Sequence, residues 1–260
     1  MPLSSDERTR YDRQLMLPEI GESGQEKLRA GSVLVVGAGG LAAPVLSYVV
    51  GGGVGRVGVL DGDVVELSNL HRQTLYTSRD LGRSKAECAA ERLVAVNPDV
   101  RVEAQAVRLT PANARALVAP YDVVVTAVDN FPTRYALNDA CVLERKTLVD
   151  GAVLEMIGQA TTVKGGETAC YRCLFPDPPP PPTAPGSSPA GVLGPIPGVI
   201  GAVQALEVMK VLTGVGQPLY DRLLRFDGAT LCFSELAVTR SPTCAVCGPR
   251  PTITDLGTDR

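Results

Sequence analysis

The run Val33-Leu34-Val35-Val36, followed without a break by Gly37-Ala38-Gly39-Gly40, constrains this chain more than any other feature. Four consecutive bulky apolar residues predict a strand buried on both faces, and the glycine cluster after it predicts a tight turn. Residues 41–50 are almost wholly apolar and predict a buried helix, which Gly51-Gly52-Gly53 ends. A second short strand at 57–60 closes one strand–helix–strand unit. Gly37, Gly39 and Ala42 fit the spacing G-x-G-x-x-G/A, in which glycine lets backbone approach phosphate at the positive end of a helix. Asp61, at the end of the second strand, suits a ribose hydroxyl. This pattern alone leaves an NAD-type oxidoreductase, another nucleotide-binding protein and a structural turn all open.

Further along, helices are predicted at 84–96, 111–118 (with Thr110 as N-cap) and 133–145, alternating with strands at 100–107, 123–125 and 147–150. That alternation predicts an α/β fold, a Rossmann-like doubly wound and mostly parallel sheet. After Gly151 the character changes. Strands are expected at 159–163 and 223–226, the latter pairing with 230–235 through the Asp227-Gly228 turn as an antiparallel extension. Residues 198–212 predict an amphipathic helix. Between them, 176–190 holds five consecutive prolines from Pro178 and predicts an extended, mobile crossing segment. The chain is expected to be a single domain over 1–260: a helical arm at 1–30, a nucleotide-binding core at 31–150 and a partner-binding part at 151–250.

A formal charge of −3 offers no electrostatic footprint for nucleic acid. No uninterrupted run of 18 apolar residues occurs, so no membrane span is expected. Residues 1–10 are polar and lack the apolar core of a secretory signal, which predicts a cytoplasmic protein. Four of the seven cysteines form two Cys-x-x-Cys pairs, Cys170/Cys173 and Cys244/Cys247. Two such pairs predict a tetrahedral zinc site, and four thiolates leave no open position, so the metal is expected to be structural. Cys88, Cys141 and Cys232 are expected to be buried packing residues. His71 is the only histidine, which excludes a histidine-rich metal centre within one chain.

The stretch Asp61 to Gln73 is an acidic strand end leading into the polar loop Glu66-Leu67-Ser68-Asn69-Leu70-His71-Arg72-Gln73. Together with Tyr11-Asp12-Arg13-Gln14, Lys85, Asp129-Asn130-Phe131-Pro132-Thr133-Arg134, Gly191-Val192-Leu193-Gly194, Gly198-Val199-Ile200-Gly201 and the paired cysteines, it resembles the MoeB/ThiF family and the adenylation domains of ubiquitin-activating enzymes. The resemblance runs from about Arg10 to Gly248. One departure is mild: Ala42 stands where the family usually has glycine.

The resemblance implies an adenylyltransferase that uses ATP and Mg²⁺ to activate a carboxylate. It implies that Arg72, Lys85 and, from a partner subunit, Arg13 act on the phosphates, and that Asp129 holds Mg²⁺. Asp61 would take the ribose, Asn69 would lie beside the phosphates, and Gly37, Gly39 and Gly40 would let the nucleotide approach the backbone. Asp63, Gln73 and Asn130 complete the implied nucleotide-binding set, and Arg134 is the remaining cation expected near the pocket. A carboxylate attacking an α-phosphate is anion on anion and needs no general base, so positioning and charge neutralisation suffice.

Family members that proceed to a thioester, persulfide or acyl-disulfide carry a cysteine in the crossing segment, where this chain has Ser187. A serine without an adjacent base is a poor nucleophile, so the reaction is expected to stop at the acyl-adenylate, with a separate sulfur donor. The expected partner is a small ubiquitin-like sulfur-carrier protein ending in Gly-Gly, and the in-trans role of Arg13 implies a homodimer. Two rival readings are an NAD(P) oxidoreductase and a catalytically idle module that binds a ubiquitin-like partner.

Overall fold

The computed structural model describes residues 2–178 and 191–257. Most of the crossing segment, Ser187 included, therefore lies outside the described residues. The chain opens with α1 (Ser5–Arg10), α2 (Asp12–Leu15) and α3 (Gly21–Ala30). The core then alternates β1 (Ser32–Val36), α4 (Ala42–Gly51), β2 (Arg56–Leu60), α5 (Lys85–Val96), β3 (Arg101–Gln105), α6 (Pro111–Val118), β4 (Val123–Thr126) and α7 (Phe131–Leu143). It continues with β5 (Thr147–Leu154), β6 (Ile157–Lys164), the short α8 (Tyr171–Leu174), α9 (Pro195–Thr213), β7 (Arg222–Asp227) and β8 (Cys232–Ala237).

These strands form one eight-stranded sheet in the order β3-β2-β1-β4-β5-β6-β7-β8. Pairing is parallel from β3 to β5 and antiparallel from β5 to β8. The predicted doubly wound sheet and its antiparallel extension are both present. β5 runs four residues past the expected strand: its parallel pairing with β4 ends at Asp150, and the rest pairs with β6 alone.

Alternation along β1 builds two cores. Val33 and Val35 pack with α4, α5 and α9, while Leu34 and Val36 pack with α6, α7 and the paired cysteines. Fully burying each such side chain contributes roughly 1.5–3 kcal/mol.

Three expectations need correction. The helix at 41–50 is not wholly buried, because Ser47 and Tyr48 face solvent along one flank of α4. α9 is not amphipathic in the expected sense. Its inward side carries buried Gln204 and Glu207, which donate to and accept from the sheet and its connections, while Leu206 faces out. By length and composition α9 is apolar enough to cross a membrane, but half of it is buried against the rest of the fold, as in a core helix. Finally, Cys232 is exposed on the edge strand β8, whereas Cys88 and Cys141 are buried as expected.

Candidate active site

The order of strands reverses between β1 and β4, so their carboxyl ends leave a crevice that neither crossover covers. Both expected site segments start there. Gly37 follows β1 with φ +91°, and a Cβ at that position would lie 2.5 Å from the Ala127 carbonyl oxygen. Only glycine therefore allows the β1 turn to touch the turn after β4 that carries Asp129. A Cβ on Gly40 would meet Pro197 at 3.3 Å and Arg72 at 3.4 Å, so the absent side chain leaves the turn open toward Arg72.

Asp61 is half-buried and braces this turn. Its Oδ2 accepts from the Ala38 amide at 2.7 Å and its Oδ1 from the Asp63 amide at 2.8 Å. The expected ribose ligand is thus also a loop support, with carboxylate lone pairs left for a hydroxyl. Tyr76, which sequence spacing did not single out, does similar work. Its buried hydroxyl donates to the Ala38 carbonyl at 2.7 Å and lies 3.2 Å from the Lys85 carbonyl. Burial pushes this phenol well up, so it stays a donor. A tyrosine inside an irregular loop carries no periodic signal, and only the fold reveals its partners.

The loop after β2 is tied to the start of α5 through the Lys85 amide, which donates to the Asp63 carbonyl at 3.0 Å. This places Lys85, the first residue of α5, beside the loop with its side chain 10% exposed. Its nearest anion is Asp63 at 3.8 Å, and Asp63 is itself held by Arg108 at 2.7 Å. Arg72 donates to the Ser68 carbonyl at 3.0 Å and lines a cleft of about 440 Å³ that runs from Gly40 along Pro44, Ser47 and Tyr48 of α4 to Gly194 and Gly198. Asn69 is buried and orders its own loop by accepting from the Glu66 amide. Gln73 is buried beside Gly39, and its Oε1 has no hydrogen-bond partner among the described residues. Its amide nitrogen is the atom nearest Gly39, and an orphaned buried oxygen on the same side chain can take a donor from outside the chain.

Asp129 is exposed, and its carboxylate makes no hydrogen bond or ion pair among the described residues. Asn130 caps α7, its Oδ1 accepting from the Thr133 amide at 3.0 Å. Arg134 corrects an expectation. It points inward and is saturated, with Nη1 on both Asp150 oxygens at 2.7 Å and Nη2 on the carbonyls of Val128 and Gly151. It holds the loop carrying Asp129, so this cation near the pocket is engaged by the fold. Burial pushes the Asp150 carboxyl up, against the pull of the Arg134 guanidinium.

A variant Arg134→Met strands Asp150 as a buried, unpaired carboxylate, a change that costs about 3–5 kcal/mol. We expect its melting temperature to fall by roughly 6–20 °C at neutral pH. A carboxyl whose folded-state pKa is raised holds its proton more tightly when folded. The deficit should therefore shrink as pH falls from the raised folded-state value toward about 3.9, the ordinary aspartate value, and be gone below it, in thermal melts across pH.

Arg13 is the one expected site residue that the fold does not bring to the crevice. Its side chain is 89% exposed, and its neighbour Gln14 donates to the Gly52 carbonyl at the far end of α4. A ten-residue helix is about 15 Å long, so Arg13 does not reach the glycine turn of its own chain.

On the opposite face of the sheet, Cys170, Cys173, Cys244 and Cys247 bring their sulfurs within 4.8 Å of one another. Three of the separations are 3.4, 3.6 and 4.0 Å. Zinc–sulfur bonds of about 2.3 Å in a tetrahedron place sulfurs roughly 3.8 Å apart, so the set fits zinc and leaves no open position.

A family model described as the ThiF family matches residues 11–246. The chain belongs to the ThiF family. Among its ThiF-type relatives, the sulfur carrier protein adenylyltransferase of Thermus thermophilus is 52% identical, with 98% of this chain and 96% of that protein covered. The adenylyltransferase and sulfurtransferase MOCS3 of Anopheles gambiae is 51% identical over 98% of this chain, which spans 58% of that longer protein. The fold matches the crystal structure of E. coli MccB with MccA-N7isoASN at a TM-score of 0.85, covering 95% of this chain and 75% of that one at 22% identity. Matched nearly end to end with the Thermus relative, this ThiF-family chain is an adenylyltransferase of the MoeB/ThiF type.

Proposed function

We propose that this chain transfers AMP from ATP to the C-terminal carboxylate of a small ubiquitin-like sulfur-carrier protein ending in Gly-Gly, releasing pyrophosphate. The observation that carries this reading is the meeting of four features at one crevice: an opened glycine turn, the poorly paired Lys85, the unpartnered Gln73 oxygen and the unpaired Asp129 carboxylate. A carboxylate nucleophile is already ionised at neutral pH. The barrier left to lower is the repulsion between two anions, and fixed cations lower it most where water is excluded.

In this reading Lys85 and Arg72 neutralise the triphosphate, Gly37, Gly39 and Gly40 admit it to the backbone, and Gln73 accepts a donor from the nucleotide. Asp61 takes the ribose. Asn69, Asp63 and Asn130 keep the two loops at the spacing the nucleotide needs. Asp129 is the residue that would hold magnesium, which when bound shields phosphate charge and orients the departing pyrophosphate. The reaction runs in a reducing cytoplasmic setting that keeps the four zinc thiolates unoxidised. ATP–pyrophosphate exchange decides the matter: exchange should appear only when a Gly-Gly carrier is added. No exchange with any member of a carrier panel, or tighter calorimetric binding of NAD than of ATP, would overturn the reading.

The acyl-adenylate is the end point, and a separate sulfur donor completes the transfer. Ser187 lies outside the described residues. Among the other cysteines not in the zinc set, Cys88 and Cys141 are buried and Cys232 is exposed. Incubation with ATP and carrier should give no thiol-sensitive covalent adduct on the intact chain by mass spectrometry. An adduct that vanishes in Cys232→Ser would refute the end point.

Two copies complete each other. A two-fold axis across α4 sets two such helices antiparallel and carries Arg13 of one copy to the Gly40 end of the other. The exposed flank of α4, with Met16 and Leu17 beside Arg13, supplies apolar surface for such a contact. A purified heterodimer of Arg13→Ala and Asp129→Ala chains should show about half the wild-type exchange rate, since one of its two sites is whole. Exchange no higher than that of either parent variant would refute the arrangement.

A further inference from the structure

From the buried polar cluster at the carboxyl end of α4 we infer that Tyr11 and Gln14 are positioning residues for Arg13, acting on the active site of the other copy. The inference rests on the in-trans role proposed above.

A helix leaves its last carbonyls without internal partners, and when the end is buried they must find donors elsewhere. Here the Val50 carbonyl accepts from Asn97 Nδ2 at 2.9 Å, and the Gly52 carbonyl accepts from Gln25 Nε2 at 2.9 Å and Gln14 Nε2 at 3.2 Å. The donors are cross-linked: Gln14 Nε2 also donates to Gln25 Oε1 at 2.7 Å, and Asn97 Nδ2 to the Tyr11 hydroxyl at 2.8 Å. Gln25 and Asn97 are fully buried, and Tyr11 is 5% exposed.

Satisfying the helix end does not need all of this. Gln25 is enough for the Gly52 carbonyl, and the Val50 carbonyl has both Asn97 and the Gly53 amide, at 3.1 Å. What the extra members Tyr11 and Gln14 add is a hold on α2, a helix of only four residues with no stability of its own. They flank Arg13 two positions before and one after. Among the described residues Arg13 itself pairs only with Asp12 at 4.0 Å and Met16 Sδ at 3.7 Å. An arginine so exposed gains a defined direction only from its backbone, and that backbone is nailed to α4 on both sides. α4 also opens at the glycine turn, so one helix spans the distance between the arginine that is presented and the site that receives one.

The test uses Gln14→Met, which keeps length and loses the donor, and Tyr11→Phe, which keeps the ring and loses the hydroxyl. Both leave the two carbonyls partnered, so Tyr11→Phe should melt close to wild type, while Gln14→Met, which also strands the buried Gln25 Oε1, should melt roughly 2–12 °C lower. Each homodimer should lose roughly tenfold in the rate of carrier-dependent exchange, as small misplacements of a charge-stabilising group do. Heterodimers purified through two different tags then separate the possibilities. Paired with an Asp129→Ala chain, the Gln14→Met chain should recover as Arg13→Ala does, because its intact site receives an arginine from a fully clamped partner. Recovery with Arg13→Ala but not with Gln14→Met shows that Gln14 acts within its own chain, and overturns the positioning role while the in-trans arginine stands. Recovery with neither removes the in-trans arginine, and the clamp's function falls with it. Unchanged rates in both homodimers overturn the inference directly.

Discussion

Lys85→Ala is expected to lower carrier-dependent ATP–pyrophosphate exchange by about 10²–10³-fold, the range seen when one preorganised charge-stabilising group is removed from an active site. The folded state should not suffer. Lys85 is 8% exposed, and its nearest carboxylate, 3.8 Å away, is already engaged by Arg108 at 2.7 Å. A buried ammonium compensated so poorly is an electrostatic cost to the fold, and replacing it with an apolar side chain is neutral or stabilising. The expected pair of results is a melting temperature equal to or above wild type alongside a collapsed exchange rate. The comparison with Arg134→Met sharpens it. Both residues are buried cations near the same crevice, yet Arg134 has four strong acceptor contacts and Lys85 has one long one. Loss of the first should unfold, and loss of the second should inactivate. A Lys85→Ala chain that melts many degrees lower while keeping its rate would show that the ammonium serves the fold.

Removing the metal should have the largest effect on stability. The purified chain is expected to carry one zinc by elemental analysis, and Cys170→Ser with Cys247→Ser should abolish it. Small thiolate sites bind zinc with about 10–16 kcal/mol of apparent free energy, and whatever part appears as folding stability is comparable to that of a whole domain. The cysteines also belong to the core on the α6 and α7 side, where Cys170, Cys244 and Cys247 are buried with Leu137, Val124 and Leu148. Four neutral thiols at 3.4–4.0 Å have no strong donors or acceptors to offer one another. We expect the double variant to lose a cooperative thermal transition or to melt far below wild type, and its segment 239–257 to be cut first in limited proteolysis. Nucleotide binding should decline only with global stability, because the crevice and the cysteines lie on different parts of the sheet. Wild-type melting behaviour in a zinc-free double variant would show that the cluster is ordinary packing.

Much of the fold was legible because it is written in local periodicity. The β1 run and its glycines, the apolar helix after it and the spacing of later strands and helices were placed to within a few residues. The Asp227-Gly228 turn was identified from its residues alone. The errors have physical causes. β5 was cut short because Gly151 and Ala152 carry little strand propensity, and that half of the strand is held by its pairing with β6. The amphipathic pattern expected over 198–212 fails at Gln204 and Glu207, which are polar by type. They are buried because β4, β6 and the 214–221 connection present a carbonyl, a hydroxyl and an amide for them to meet. Cys232 was assigned to the interior by residue type, while β8 is an edge strand with every residue exposed.

The site divides along the same line. Residue types alone determined that a glycine turn, an acidic strand end and two thiolate pairs belong to this chain, since each rests on neighbours within a few positions. Only the tertiary structure decided which charges are available. Arg134 and Lys85 are both cations on helices after core strands, and nothing local distinguishes them. The first is consumed by Asp150 and two carbonyls brought from β5 and the β4 turn, and the second is left nearly unpaired. Partners distant in sequence set whether a buried charge is spent on the fold or kept for a ligand, so that distinction becomes visible only when the chain has closed on itself.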